Sequence, residues 1–364
     1  IVYTMERLHA EIVDRDYSNP VALAEAMDDV LEGHQSAKAG VDIAFHDLLA
    51  RSRRRRLMDY LYGLRGNRGM LKEKILTDVT VSAGGGMDAL IERTRGFVEE
   101  GYMAVKLTLG DGPEHDLAVV RSLREQLGKG FALRLDLNQA YNVDQALEFT
   151  ASAGDMAVEF IEQPVPADDL DGLAEVSAGS RVPIMADESV WDAKDVERVG
   201  SEDICDLINI KLMKCGGIAR AMQMLQLADR YGLRSMVGCM AEGRASLTGA
   251  LALALSQEDI IYADLDSYVQ LEEDYSDGGL TVDDGYLVPG DAAGTSVELL
   301  DNDGRGKRVP LEPGRRRSAG AGTGGRGQGR GGRPQRGGIG RRGGSGRGGA
   351  PSGPSGSSAK QAAA

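Results

Sequence analysis

Ten polar residues in this chain share a position that ordinary surface chemistry does not explain: each interrupts or ends a short apolar run. Lys106 and Thr108 close YMAVKLTL, Asp136 and Asn138 close FALRLDLN, and Glu162 closes AVEFIE. Asp187 and Glu188 follow VPIMA, Lys211 closes DLINIKL, and Asp264 and Asp266 follow DIIYA. Asp136, Glu162 and Asp187 fall on consecutive runs. Brought together, three carboxylates repel strongly and need protons or a cation to coexist. A hard, oxygen-preferring dication answers that need: Mg²⁺ fits, and Mn²⁺ is the alternative. The competing reading is three unrelated exposed acids. A lysine desolvated beside a metal and other cations has its pKa lowered toward neutrality and can act as a base. Lys211 is the candidate; Lys106 is a second, with a structural ion pair as its alternative. A metal on a substrate carboxylate with an amine beside the adjacent carbon is equipment for removing an α-proton.

These residues need a scaffold that collects strand ends. From about residue 75 to 265, eight β-branched or apolar runs alternate with amphipathic stretches of helical periodicity. That is the pattern of a closed parallel (β/α) barrel, in which all strand carboxyl ends meet at one mouth. Strands two and six are four apart in a ring of eight, so Lys106 and Lys211 are expected on opposite walls. A doubly wound sheet is the alternative. Gly84–Gly86 follow the first run, but no G-x-G-x-x-G continues from them. Residues 18–62 read as helical from Asn19-Pro20 onward, and the run Arg53–Arg56 reads as a solvated helix face.

Composition narrows the function classes. Hydrophobic residues make up 41% and charged residues 27% of the chain, ordinary for a globular protein with a sizeable core. Aromatics at 5% argue against a base- or sugar-stacking surface, and no apolar run reaches the ~18 residues of a membrane span. The three cysteines form no C-x-x-C and the four histidines no i, i+4 pair, so no zinc site is expected. The cysteine usage and the absence of an apolar leader suggest a reducing cytoplasm. Fourteen of the 42 Lys/Arg but one of the 56 acids lie in 304–364, which leaves about −27 on residues 1–303. So acidic a body does not bind nucleic acid non-specifically. Residues 304–364 are Gly/Arg-rich and read as disordered. RGGRPQRGGIGRRGGSGRGG is similar to an RGG box, able at most to bind RNA weakly by charge, and the plainer alternatives are a solvated appendage or an out-of-frame stretch.

The stretches SAKAGVDIAFHDLL, TDVTVS, VKLTLG, LDLNQAY, FIEQPV, IMADES, INIKLMKCGG, MVGCMAEG and YADLDSY resemble the enolase superfamily, muconate-lactonising subgroup, and within it the dipeptide epimerases. The likeness spans about residues 37–300. It implies an α/β fold: a TIM-like (β/α)7β barrel with a truncated, mainly helical N-terminal capping domain and a disordered C-terminal tail. The implied division is 1–70 for the cap, 71–270 for the barrel, 271–303 returning to the cap, and 304–364 for the tail. Asp136, Glu162 and Asp187 then match the metal ligands and Lys211 the acid/base lysine. Asp264 and Asp266 match a D-x-D that holds a dipeptide's α-ammonium. Lys106 matches the first lysine of the subgroup's K-x-K, and Thr108 stands where the second, the other acid/base, is expected. The implied activity is Mg²⁺-dependent epimerisation of a dipeptide, impaired because a threonine hydroxyl accepts no proton at neutral pH without a base. A cycloisomerase, an o-succinylbenzoate synthase-like enzyme or a catalytically dead fragment are the alternatives. The resemblance also implies a small sheet and closing loop before the helices, which this chain lacks, with exposed apolar surface in consequence, and a homo-oligomer.

Overall fold

The computed structural model describes residues 2–17, 19–66, 69–82 and 86–299. The Gly/Arg-rich segment 304–364, expected to be disordered, lies outside the described residues. Four helices come first: α1 (Val2–Ile12), α2 (Pro20–Val30), α3 (Gln35–Ser52) and α4 (Leu57–Leu64). Asn19 caps α2 through its side chain, with Pro20 at the first helical position. The sequence reading missed α1, whose Leu8 packs on Leu23 and Met27. It also misplaced the arginine run. Arg53–Arg56 form the turn between α3 and α4, where Arg54 adopts a left-handed φ of 53°.

A short strand, β1 (Ile75–Leu76), leads into the alternating core. There follow β2 (Val79–Ser82), α5 (Met87–Glu99), β3 (Ala104–Thr108), α6 (Pro113–Leu127), β4 (Ala132–Asp136), α7 (Val143–Ala153), β5 (Val158–Glu162) and α8 (Leu170–Gly179). Next come β6 (Ile184–Ala186), α9 (Ala193–Ser201), β7 (Leu207–Lys211), α10 (Leu212–Cys215), α11 (Ile218–Tyr231), β8 (Arg234–Gly238), α12 (Arg244–Ser256) and β9 (Ile260–Asp264). β2 to β9 form one eight-stranded sheet in sequence order, every pair parallel. The fold is therefore the expected α/β barrel of (β/α)7β order.

The period-two alternation of the strands divides the core in two. Phe160, Met185, Leu207 and Met236 pack with Tyr262 as an apolar cluster of their own, and the intervening residues join the larger layer beneath the helices. Arg134, 1% exposed, lies over the rings of Phe160 and Tyr262 and pairs with Asp78 at 2.8 Å and Glu159 at 2.9 Å. The seam between β9 and β2 is closed by few contacts. Thr77 bridges Ala263, the Thr77 hydroxyl accepts the Leu265 amide at 3.1 Å, and the Thr80 amide donates to Asp266 Oδ2 at 2.6 Å.

Two devices join the helical front to the barrel. Asp42 of α3, wholly buried, accepts the amides of Ile218 (2.5 Å) and Ala219 (3.3 Å), capping α11. Gly217 makes room for it, since a Cβ there would lie 2.5–2.6 Å from the Asp42 side chain. After β9, the strands β10 (Ser276–Gly278), β11 (Leu280–Asp283), β12 (Tyr286–Pro289) and β13 (Val297–Leu299) form two small antiparallel sheets, one of them with β1. The chain then returns to the first helices: Leu57 donates to Gly294 O at 2.7 Å and Thr295 to Asp47 Oδ1 at 2.6 Å. No helix among the described residues is long and apolar enough to cross a membrane.

At the barrel's other end, Lys72 Nζ donates to Ala254 O (3.0 Å), Ile260 O (2.8 Å) and Gln257 O, tying the last turn of α12 to the start of β9. Hydrogen bonds from a charged donor contribute about 1.5–3 kcal/mol. Lys72→Met is expected to lower unfolding stability by about 2 kcal/mol, read as a lower urea midpoint at unchanged slope.

Candidate active site

Parallel pairing places the strand-end groups side by side. Thr108 is registered with Asp136, and Asp136 with Glu162; Asp187 follows β6 directly, and Lys211 is the last residue of β7. Asp264 ends β9 and Asp266 lies just beyond it. The structure thus brings every sequence-predicted site residue to the carboxyl ends of the strands. The acids and lysines among them are mostly buried: Asp136 is 6% exposed, Glu162 0%, Asp187 4%, Asp264 3% and Lys106 4%.

Lys106 is the hub. Its Nζ lies 2.5 Å from Asp264 Oδ2, 3.3 Å from Glu162 Oε2 and 3.4 Å from Asp136 Oδ2. Burial disfavours its charge, but the fields of Asp264, Glu162 and Asp136 outweigh that and hold the proton well above the ordinary lysine range. Lys211 donates to Asp187 Oδ2 at 2.7 Å. Here the outcome differs from the expected lowering. Desolvation does act downward, yet the fields of Asp187 and Glu162 prevail over that of Lys106 and raise the Lys211 pKa. A dication on the same carboxylates would offset that field, which is the condition for Lys211 to act as a base.

The carboxylates respond in opposite directions. Desolvation, opposed by Lys106 and aided by Asp136 and Asp187, pushes Glu162 up to about 8, and Asp136 is raised as well. Asp187 is also penalised by burial, but Lys214 and Lys211 hold it below the usual carboxylate range. Asp266 is pushed up to about 6 by burial and by Asp264.

Sequence reasoning missed several supporting residues. Lys214 Nζ donates to Asp187 Oδ1, to Asp187 O at 2.5 Å and to Asn209 O at 3.0 Å. The signal was its place three residues after Lys211, on the same helical turn. Asn209 donates to Glu162 Oε1 at 2.7 Å. Gln163 Oε1 accepts the amides of Asp187 (2.9 Å) and Ser189 (3.2 Å), fixing the loop that carries Asp187. Asn138 contributes through its backbone amide, which donates to Asp136 Oδ1 at 3.0 Å.

Asp136, Glu162 and Asp187 offer three hard oxygen donors on adjacent strand ends. Two of them have raised proton affinity, so the set is short of positive charge and fits a dication of the Mg²⁺ type. They are spaced more widely than Cys239, Asp264 and Asp266, whose ligand-type atoms lie within 4.8 Å of one another. The ammonium groups of Lys106 and Lys211 stand among the three.

Comparison with known proteins agrees with this architecture. Residues 89–303 match the family described as enolase C-terminal domain-like, and residues 1–62 match the mandelate racemase/muconate lactonizing enzyme N-terminal domain. The chain belongs to the enolase superfamily. It is 36% identical over 296 residues to the L-Ala-D/L-Glu epimerase of Clostridium acetobutylicum, covering 80% of each chain. It is 34% identical to the hydrophobic dipeptide epimerase of Enterococcus faecalis, covering 81% of each. The crystal structure of the dipeptide epimerase from Enterococcus faecalis complexed with Mg and the dipeptide L-Leu-L-Tyr superposes with a TM-score of 0.74, over 81% of this chain and 83% of that one.

Removing Lys106 leaves three buried carboxylates without their shared counter-charge, and breaking a buried pair in this way costs about 3–5 kcal/mol. Lys106→Met is expected to lower the stability of this enolase-superfamily barrel by that order in chelator. Millimolar Mg²⁺ should recover more stability in the variant than in the parent, as thermal unfolding with and without the ion would register.

Proposed function

We propose that the chain is a Mg²⁺-dependent enzyme that abstracts the proton α to a carboxylate, acting on dipeptides as an epimerase with one strong acid/base side. The observation that carries this reading is the contrast among the lysines of the mouth. Lys106 and Lys214 have side chains 5% and 2% exposed, each committed to three oxygens, while Lys211 is 11% exposed and has one partner, Asp187. Lys211 is therefore the amine a substrate can reach. Bound by Asp136, Glu162 and Asp187, the metal supplies positive charge for a substrate carboxylate whose electron density rises as the α-proton leaves.

Lys211 removes or returns that proton on one face. Asp264 and Asp266 hold the α-ammonium of the dipeptide, a charge-assisted contact that suits acids buried together. Lys106 keeps Asp264 in place and adds positive charge beside the reacting carboxylate. On the other face Thr108 offers only a hydroxyl, so reprotonation there is slow. In this reading residues 1–70 serve as the cap, 71–270 carry the site and 271–303 brace the cap, consistent with the Gly294 and Thr295 contacts to α3 and α4. The enzyme is taken to work in the cytoplasm, where its three free cysteines stay reduced, and as a homo-oligomer.

One-lysine chemistry also suits a cycloisomerase or an o-succinylbenzoate synthase-like reaction. Asp264 and Asp266 count against it, because those substrates carry no ammonium to balance two buried acids. Assays with muconate and succinylbenzoate-type substrates set beside a dipeptide panel separate the readings.

Each epimer of a dipeptide, incubated in D₂O with Mg²⁺ and followed by proton NMR, is expected to behave differently. One should lose its α-proton signal quickly and the other at least ~10²-fold more slowly, the range a positioned general base supplies. Equal washout from both, or none from either, contradicts the proposal. Thr108→Lys should raise interconversion of the epimers by ~10²-fold, measured as the rate of optical or NMR equilibration.

A further inference from the structure

One buried acid beneath the mouth has no part in the chemistry described so far. Asp78 lies in the stretch Thr77-Asp78-Val79-Thr80 that leads into β2, and it is wholly buried. Three contacts place it beside Asp264 across the β9–β2 seam. Its amide donates to Ala263 O at 3.3 Å. Thr80, two residues on and therefore on the same face of the strand, directs its hydroxyl at Asp264 Oδ1 (3.5 Å). Arg134 Nη1 donates both to Asp78 Oδ2 (2.8 Å) and to Ala263 O (3.1 Å).

Two carboxylates brought this close repel, and one of them takes a proton unless a cation serves both. The cations nearby are already engaged. Arg134 has a second acid, Glu159 at 2.9 Å, so its charge is balanced whether or not Asp78 is ionised. Lys106 lies against Asp264, Glu162 and Asp136. Asp78 Oδ2 accepts from Arg134, but Asp78 Oδ1 is buried with no donor reaching it. A buried oxygen left in that state is costly. Carrying a proton, the same carboxyl becomes a donor, and the Asp264 side chain stands within hydrogen-bond reach as acceptor. Proton affinities divide in the same sense. Burial and the field of Asp264, with a smaller push from Asp266, raise Asp78 well above the usual carboxylate range against the pull of Arg134 and Lys106. Burial works against the Asp264 charge too, yet Lys106 and the Asp78 hydrogen bond hold that carboxyl below its usual range.

We propose that Asp78 is a positioning residue: a neutral carboxylic acid that donates a hydrogen bond to Asp264 and keeps it charged and oriented for the substrate's α-ammonium. The ammonium part rests on the function proposed above; the protonated state of Asp78 does not. Lys106 and Asp78 then both fix Asp264, and an ionised carboxylate has lone pairs left for an ammonium.

Two variants separate donor from shape. Asp78→Asn keeps an N–H donor without a charge, and Asp78→Leu keeps the approximate size without a donor. With Mg²⁺ and a dipeptide, scored by α-proton exchange in D₂O, KM for the Leu variant should exceed that for the Asn variant by at least ~10-fold, the worth of one hydrogen bond to a charged group. The preference for the dipeptide over its des-amino analogue should fall in the Leu variant and persist in the Asn variant. Two further readouts need only the near-isosteric Asn variant and no turnover. The infrared difference between parent and Asp78→Asn at about pH 7 should contain the carbonyl band of a neutral carboxylic acid. An acid raised in the fold keeps a proton that the unfolded chain has released, so the parent's urea midpoint should fall more steeply from about pH 5 to 8 than the variant's. Carboxylate bands alone, or equal pH slopes, would make Asp78 an ionised partner of Arg134 and overturn the proposal. Equal KM and equal ammonium preference in the two variants overturn the positioning role and leave the proposed reaction standing. A neutral-acid band in a parent that exchanges no dipeptide proton overturns the proposed function and the ammonium role with it.

Discussion

The constraint on which the rest depends is negative charge confined inside a barrel. Asp78, Asp136, Glu162, Asp187, Asp264 and Asp266 are all 6% exposed or less. Isolated ionised carboxylates in such surroundings cost many kcal/mol, so each must be protonated, paired or metal-bound. The chain uses pairing in a graded way, and the gradient is visible in proton affinity. Asp187, with Lys211 and Lys214 on its two oxygens, is held low. Glu162, with one amide and a share of Lys106, is pushed up to about 8. Where pairing is incomplete, as at Glu162, a cation would supply the missing charge.

Much of this was legible in the sequence because a parallel barrel maps order along the chain onto neighbours in space. Eight apolar runs with a polar residue at the same end of most of them fix both the fold and the ring of groups at its mouth. What period-two and period-3.6 patterns cannot report is which oxygen a lysine chooses. Lys214 lies on a helical turn after Lys211, and its position alone does not reveal that it bonds Asp187. Arg134 sits in a strand where an apolar residue would be expected, and its partner Asp78 lies just before β2, 56 residues away in sequence. The α1 helix was hidden for a different reason: a short segment with several charges shows its apolar stripe only once Leu23 and Met27 are known to face it.

The sign of the Lys211 shift shows how a correct inventory can still give a wrong energy. The sequence argument counted neighbouring cations and concluded that the amine would be acidified. Lys106 does act in that direction, but two carboxylates stand closer in effect than one ammonium. The same carboxylates are the proposed ligands of a dication, so in that reading one set of oxygens would govern both the metal's place and whether the amine is free to accept a proton. Proton affinity at Lys211 is in this sense a property of the whole cluster rather than of the residue.

The D-x-D pair makes the same point about scaffold and site being one object. Asp266 accepts the Thr80 amide across the β9–β2 seam, doing with a side chain what a backbone carbonyl does elsewhere in the sheet. Asp264, one face-repeat earlier, is pinned by Lys106. Residues that a substrate ammonium would need are therefore also residues that close the barrel. Substituting them to probe binding would loosen the seam as well.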